Sequence, residues 1–436
     1  MNPVDEEILM KLNVGVIGAG TVGGGVIHLL LNHYEHIKNQ TDVELELKHV
    51  VEIKPELLKP FDLNNVTVSA DIDSLLNNPE VDVVCELIGG LEPAKTFIIK
   101  SLKAGKHVVT ANKMLLAKYG TELCEIAEQS GKELKFEASV GGVIPIIKTL
   151  KEVLSTTHIE AVYGIVNGTC NYILSRMTYE GLDFQAVLKE AQANGYAETP
   201  PDLDIEGFDT AHKCQILASL CFGTPVNLDE IYIEGITKIT YSDVSYANEM
   251  GYVIKLLAIV RKINGEIEAR VHPTFVPQNH LLASVRNEFN AIYVESDSAG
   301  PTLYYGKGAG RFPTATAVIS DLLDIARRKN SPTSPPFIYY HNLNIRDMGL
   351  LRSRYYLRFT TKDYPGVLGQ ICTILGKHRV SISSCHQKET LQYHEALPVH
   401  VVIMTHDSLE SSVQSAILEI DKLECIVEPT QLIRVL

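Results

Sequence analysis

The chain has 436 residues, 45% hydrophobic and 21% charged, enough to bury sizeable cores in two or three domains, since single cores rarely grow past roughly 250–300 residues. A formal net charge of −14 excludes a general nucleic-acid or anionic-membrane surface, both of which need clustered Lys and Arg, and leaves small molecules as the expected partners. The acidic start MNPVDEEILMKL, the lack of about 18 uninterrupted apolar residues, and eight scattered cysteines with no C-x-x-C pair predict a soluble, unexported, cytoplasmic protein with reduced, mostly buried thiols.

The apolar run Asn13–Ile17 is followed by Gly18-Ala19-Gly20-Thr21-Val22-Gly23 and then by the helix-periodic VIHLLL. Strand, tight turn and helix in that order read as a dinucleotide fingerprint, in which Gly18, Gly20, Thr21, Val22 and Gly23 are expected to offer backbone N–H groups to a pyrophosphate, the alternative being a merely tight structural turn. The next strand closes on Glu52, an acid suited to a free ribose 2′-hydroxyl and so to NAD, although nearby Lys54 could serve the phosphate of NADP. The alternative is that both simply sit on a solvated strand end.

Apolar runs near Val43–Val51, Val81–Ile88, His107–Thr110 and Leu134–Ala138 alternate with helical stretches at Pro93–Leu102 and Tyr119–Gln129. This rhythm predicts an α/β fold with a Rossmann-type, doubly wound parallel sheet over 1–145. From Pro145 the pattern changes to a mixed region with a strand at Ile159–Val166, expected to be an α+β catalytic and dimerisation domain over 146–311.

Within it, Glu198, Asp202, Asp204, Glu206 and Asp209 crowd one stretch and lead to Lys213. A helix starting near Asp209 sets Asp209 and Lys213 on one face, above an apolar stripe of Ile216, Leu217 and Leu220. Spacing alone allows an exposed ion pair worth about 0.3–0.5 kcal/mol, or a lysine that exchanges a proton with a substrate beside acids that hold an ammonium group.

After the glycine cluster Tyr305–Gly310, a helix runs from Pro313 through VISDLLDIA into the proline-rich Lys329–Pro336, so 312–340 reads as a returning helix and linker. The segment 352–436 spells β-α-β-β-α-β, the ferredoxin-like order.

Four motifs carry a family resemblance: Thr110-Ala111-Asn112-Lys113, Phe136-Glu137-Ala138-Ser139-Val140-Gly141-Gly142, Gly164-Ile165-Val166-Asn167-Gly168-Thr169, and Gly195-Tyr196-Ala197-Glu198 through Lys213. On these the chain resembles homoserine dehydrogenases, nearly throughout as far as Ala326. The resemblance implies reversible NAD- or NADP-dependent hydride transfer between L-homoserine and L-aspartate 4-semialdehyde, in threonine, methionine and isoleucine biosynthesis. It implies that Lys213 exchanges the proton at the terminal oxygen, that Glu198 and Asp209 bind the amino end, and that Asp204 lines the same pocket. Lys113 becomes a second active-site lysine, Thr110 lies beside the cofactor, and Gly195 and Gly310 approach the dinucleotide. A structural sodium ion is implied at Glu137, Val140, Gly142 and Ile144, away from the substrate.

Where the family commonly has another residue and then Asp-Pro after Ala197-Glu198, this chain has Thr199-Pro200-Pro201, which puts the local loop shape in question. The loop Asp363-Tyr364-Pro365-Gly366-Val367-Leu368 resembles the ligand loop of ACT domains. That resemblance implies feedback by threonine, with isoleucine or methionine as alternatives, or a purely structural dimerisation role. A homodimer or homotetramer is expected. Two rival readings are a nucleophilic Cys170, as in phosphorylating aldehyde dehydrogenases, and an amino-acid sensor whose dehydrogenase portion has decayed.

Overall fold

The computed structural model describes residues 10–197, 199–328, 337, 339, 341–388 and 398–436. Glu198 and the proline-rich stretch expected to be a linker lie outside these.

The chain opens with β1 Met10–Ile17, α1 Thr21–Asn32, α2 Tyr34–Thr41, β2 Val43–Val51, β3 Thr67–Ser69, α3 Ile72–Leu76 and β4 Val83–Glu86. It continues through α4 Ala94–Lys103, β5 His107–Thr110, α5 Lys113–Gln129, β6 Leu134–Lys135, α6 Ile146–Lys148 and β7 Ile159–Ile165. Next come α7 Gly168–Glu180, α8 Phe184–Ala193, α9 Asp202–Ile205, α10 Phe208–Phe222, β8 Tyr232–Ile233, α11 Tyr241–Glu249, β9 Tyr252–Ile263 and β10 Glu266–Pro277. Then follow β11 Phe289–Ser296, β12 Thr302–Lys307, α12 Arg311–Arg327, β13 Arg352–Ser353, β14 Tyr355–Thr361 and α13 Val367–Lys377. The last elements are β15 Ile382–Gln387, β16 Val399–Thr405, β17 Ser408–Leu409, α14 Glu410–Ile420 and β18 Ile426–Val435.

Two compact units interleave in sequence. The first comprises Met1–Val166, Ala211–Glu230 and Phe289–Leu343; the second comprises Asn167–Thr210, Ile231–Glu288 and Asn344–Leu436.

In the first unit six parallel strands run in the order β3-β2-β1-β4-β5-β6. Helices cover both faces of such a sheet, which is why β4, Val-Val-Cys-Glu, is buried at every position and carries no polar alternation. Strand order reverses between β1 and β4, and ligands of open α/β sheets bind at the carboxyl ends beside that reversal. Helix α12 returns to pack on α1, so that Leu12, Val14, Val16, Val26, Leu30, Ala315, Val318 and Leu322 share one core. The expected strand Leu134–Ala138 ends at Lys135. Glu137 instead turns in a 3-10 helix, because its N–H donates to the Asp321 carboxylate at 2.8 Å rather than to a neighbouring strand. The same unit holds the antiparallel set β12-β11-β7.

In the second unit β9 and β10 form a long hairpin closed by Asn264 and Gly265, both with positive φ, as a two-residue turn of the I′ kind requires. Beyond β10 the order continues β18-β14-β16-β15, with α13 and α14 supplying Ile371, Leu375, Val413 and Ile420 to the core beneath. The β-α-β-β-α-β order expected from residue 352 is present, with the 4-1-3-2 strand arrangement of a ferredoxin-like sheet. Among the described residues no helix is long and apolar enough to cross a membrane.

Candidate active site

The glycine loop between β1 and α1 is shaped by three different constraints. Gly18 has φ +92°, and a Cβ there would lie 2.7 Å from Ile88. At Gly23 a Cβ would meet the Gly18 carbonyl oxygen at 1.8 Å, so helix and loop can close only on glycine. Gly20 has open space in front of it, within which an approaching ligand needs no side chain moved. It is also the N-cap of α1, which has no side-chain cap and no acid in its first turn, so the orphan N–H groups at Thr21, Val22 and Gly23 suit an anion.

Glu52, just past β2, accepts the Ala19 N–H at 2.6 Å and the Lys54 N–H at 2.9 Å. Its carboxylate therefore braces the glycine loop itself, a role the strand-end position alone did not disclose. At the ends of β4 and β5, Thr110 donates its hydroxyl hydrogen to Glu86 at 2.8 Å, and Glu86 also accepts the Ile88 N–H at 3.0 Å. Burial raises the Glu86 carboxyl above the usual carboxylate range, against the hydrogen bonds that lower it. Asn112 accepts the Leu115 N–H and donates to the Gly90 carbonyl at 2.6 Å, capping α5 and holding Lys113 as the first residue of that helix. Gly310 has φ +117° and precedes Arg311, whose guanidinium donates to the Gly24 carbonyl at 3.1 Å, placing Gly310 beside α1.

Lys213 projects from α10, is 8% exposed, and donates to the Val166 carbonyl at 2.7 Å at the end of β7. Such a lysine is fixed in direction by its hydrogen bond and by burial of its stem.

In the second unit the Asn167 side-chain amide donates to Asp204 at 2.8 Å and to Asp209 at 2.9 Å. Thr169 adds a bond to Asp204 at 3.1 Å and another to the Tyr196 carbonyl at 2.5 Å. Asn167 is also the N-cap of α7, accepting the Cys170 N–H at 2.8 Å. One residue thus starts a helix and gathers two carboxylates. Gly195 follows α8 with φ +74° and no atom near a notional Cβ. The Pro201 carbonyl accepts the Asp204 and Ile205 N–H groups, so the departure at Thr199-Pro200-Pro201 ends by opening α9. Cys170 is wholly buried and its thiol donates to the Asp204 carbonyl at 3.2 Å, which leaves the sulfur no approach for an external electrophile. None of the eight cysteines is in a disulfide, and five of them are buried.

Glu137 is buried and accepts the Ile147 and Lys148 N–H groups at 2.9 and 2.7 Å. Burial nonetheless pushes its carboxyl up to about 7. Val140 and Ile144 are also buried, and Gly142, φ +60°, has Gly308 backbone 2.6 Å from a notional Cβ. Among the described residues no cluster of three or more His, Cys, Asp or Glu could hold a metal ion.

The expected residues therefore fall into groups that the structure gathers: the glycine loop, the Thr110–Lys113 strand end, Lys213 with Val166, and Asp204 with Asp209. Four further residues, Glu86, Asn112, Asn167 and Thr169, join these groups. The acid that ends the otherwise apolar Val83–Glu86 was a visible signal, whereas Asn167 becomes important only through partners 37 and 42 residues away.

A family model described as homoserine dehydrogenase matches residues 145–323, and one described as homoserine dehydrogenase, NAD binding domain, matches 18–137. The chain is 43% identical to the homoserine dehydrogenase of Neisseria gonorrhoeae, over 98% of this chain and 99% of that one, and 37% identical to that of Bacillus subtilis over the same shares. A solved homoserine dehydrogenase from Thiobacillus denitrificans matches with a TM-score of 0.91 at 41% identity, covering 98% of each chain. A hyperthermophilic archaeal homoserine dehydrogenase mutant, solved in complex with NADPH, covers 74% of this chain and 99% of that one at 26% identity and a TM-score of 0.61. Likeness of this extent settles what the geometry leaves open among dehydrogenases: the chain belongs to the homoserine dehydrogenase family, oxidoreductases with a nicotinamide-nucleotide-binding domain.

Proposed function

We propose that this chain interconverts L-homoserine and L-aspartate 4-semialdehyde, with Lys213 exchanging the proton at the substrate's terminal oxygen. The observation that carries the reading is the pair Asp204 and Asp209, gathered by Asn167, with Lys213 one helical turn beyond Asp209 on α10. Paired carboxylates suit an α-ammonium group, and a lysine held in direction suits proton exchange. Glu198 is assigned to the amino end as well, and Lys113 to the cofactor end beside Thr110. When bound, NAD or NADP supplies or accepts the hydride. The residues fit such a dinucleotide: Gly20 faces open space, α1 presents uncapped N–H groups, and Gly195 and Gly310 offer backbone without a Cβ. In the oxidative direction the hydroxyl proton passes to Lys213 Nζ as the carbon loses its hydride. In the reductive direction Lys213 returns it to the developing alkoxide.

Sodium is assigned to a structural site at Glu137, Val140, Gly142 and Ile144. A carboxylate with backbone carbonyls is a hard-oxygen donor set, and a cation there would favour the ionised form of Glu137, which burial disfavours. The 352–436 segment is assigned as an ACT module that senses threonine, supported by its strand order and by Gly366, φ +102°, capping α13 in the expected ligand loop. A cytoplasmic homodimer or homotetramer is the assembly this reading implies.

The test is NAD(P)-dependent oxidation of L-homoserine at alkaline pH, with threonine titrated in. Turnover that falls by about 10²–10⁴ in Lys213→Ala supports the assignment. No wild-type turnover with either dinucleotide overturns it, and full turnover in the variant removes Lys213 from the proton path.

A further inference from the structure

We propose that Arg434 and Glu234 are positioning residues for the acid loop, fixing Asp204 through the turn 234–236. This rests on the assignment of Asp204 to the substrate pocket.

Arg434 lies on β18 and is 1% exposed. Its guanidinium donates twice to Glu410, at 2.9 and 2.6 Å, and once to Glu234 at 2.9 Å, and it stands 4.8 Å over the Tyr232 ring. Tyr232 closes the set by donating to Glu234 at 3.0 Å. One desolvated cation thus serves two carboxylates, so both depend on it for direction as well as charge.

Glu234 is not an end point. Its own N–H donates to the Val271 carbonyl, and the next residue, Gly235, presses on the acid loop so closely that a Cβ would stand 2.1 Å from the Ile205 carbonyl oxygen and 2.4 Å from Glu206 Cα. Ile236 then donates its N–H to that same Ile205 oxygen at 2.8 Å. Ile205 is the last residue of α9 and directly follows Asp204. On the far side Gly207, φ +88°, rests against the Glu234 carbonyl and Ile233. The backbone on the C-terminal side of Asp204 is therefore clamped by the turn that carries Glu234, while Asn167 and Thr169 hold its side chain. A shift of about 1 Å at such a point is enough to spoil a polar contact with a substrate.

Arg434 is part of β18 and also holds Glu410, the first residue of α14, so its side chain links the ferredoxin-like segment to the turn that clamps the acid loop. Affinity for the amino-acid substrate, and not hydride transfer itself, is what this linkage sets.

The test compares wild type with Glu234→Gln, Gly235→Ala, Arg434→Lys and Asp204→Asn, reading KM and kcat for L-homoserine, KM for the dinucleotide, and Tm. Glu234→Gln is expected to raise KM for homoserine roughly five- to tenfold with kcat changed less than about twofold and dinucleotide KM unchanged, whereas Gly235→Ala, whose Cβ would drive into the Ile205 and Glu206 backbone, is expected to lower Tm sharply and, where it folds, to raise that KM further. Arg434→Lys, which keeps the charge but not the fork, is expected to fall between Glu234→Gln and wild type. Combining Glu234→Gln with Asp204→Asn should give less than the product of the single effects. The proposal is overturned if Asp204→Asn raises KM while Glu234→Gln leaves it untouched, or if the variants lower Tm and kcat with both KM values intact. If Arg434→Lys does not fold, Glu234→Gln, on a partly exposed side chain, decides alone. Failure of the underlying assignment looks different: Asp204→Asn would then itself leave KM for homoserine unchanged.

Discussion

Thr110 donates a hydrogen bond to Glu86 across 2.8 Å, tying the carboxyl ends of two neighbouring parallel strands on the first unit's sheet. Thr110→Val keeps the shape and removes the donor, so a buried carboxylate oxygen loses its partner. The expected cost is about 1–3 kcal/mol of stability, with a raised KM for the dinucleotide and restoration by Thr110→Ser, checked by thermal melts and steady-state kinetics.

Two glycines of one loop are expected to fail in different ways. Gly23→Ala drives a Cβ into the Gly18 carbonyl and should lower Tm sharply or prevent folding. Gly20→Ala meets nothing in the protein, so it should keep a near-normal Tm while weakening NADH or NADPH binding about tenfold or more, read by fluorescence titration. Equal binding by Gly20→Ala and wild type would put the pyrophosphate elsewhere.

Asn167 separates capping from charge. Asn167→Ala loses the α7 cap, about 1 kcal/mol, and the shared donor of Asp204 and Asp209. Asn167→Asp keeps an N-cap acceptor but sets a third carboxylate against the other two. At neutral pH kcat/KM for homoserine should fall further in Asn167→Asp than in Asn167→Ala, although the aspartate variant melts at the higher temperature if its cap outweighs the added repulsion.

Lys255 offers a stability test by pH. It is buried on β9, donates to Asn171 Oδ1 at 2.9 Å and to the Val285 carbonyl, and burial pulls its ammonium down to about 7. A lysine whose folded pKa lies below its unfolded value near 10.4 disfavours the fold once charged. That penalty is absent above the unfolded pKa, grows as pH falls between the two values, and is complete below about 7. Lys255→Met should therefore gain on wild type, Tm against Tm, on going from pH 9.5 to pH 7. A difference constant with pH would show that the lysine does not titrate in this window.

Much of the first unit was legible because parallel strands read as apolar runs between turn signals: Val43–Val51 and His107–Thr110 hold at both ends. Leu134–Ala138 did not, since a contact with Asp321, 184 residues away, redirects Glu137. In the second unit the Asn264-Gly265 turn stands between two strand-like runs, but the mixed pattern around it hides the hairpin that it closes. At the site the lysines and acids stood out by type and crowding. Their organisers did not, because an asparagine's role depends on which side chains folding brings to its amide, and neither composition nor period encodes that.

The interleaving of the two units has a consequence for inheritance. Six alternating stretches make five passages of the chain from one unit to the other. No continuous piece of gene encodes either unit whole without carrying part of the other, so a crossover at any single point divides at least one of them. Unlike a tethered module, neither unit as a whole can be exchanged as one continuous cassette.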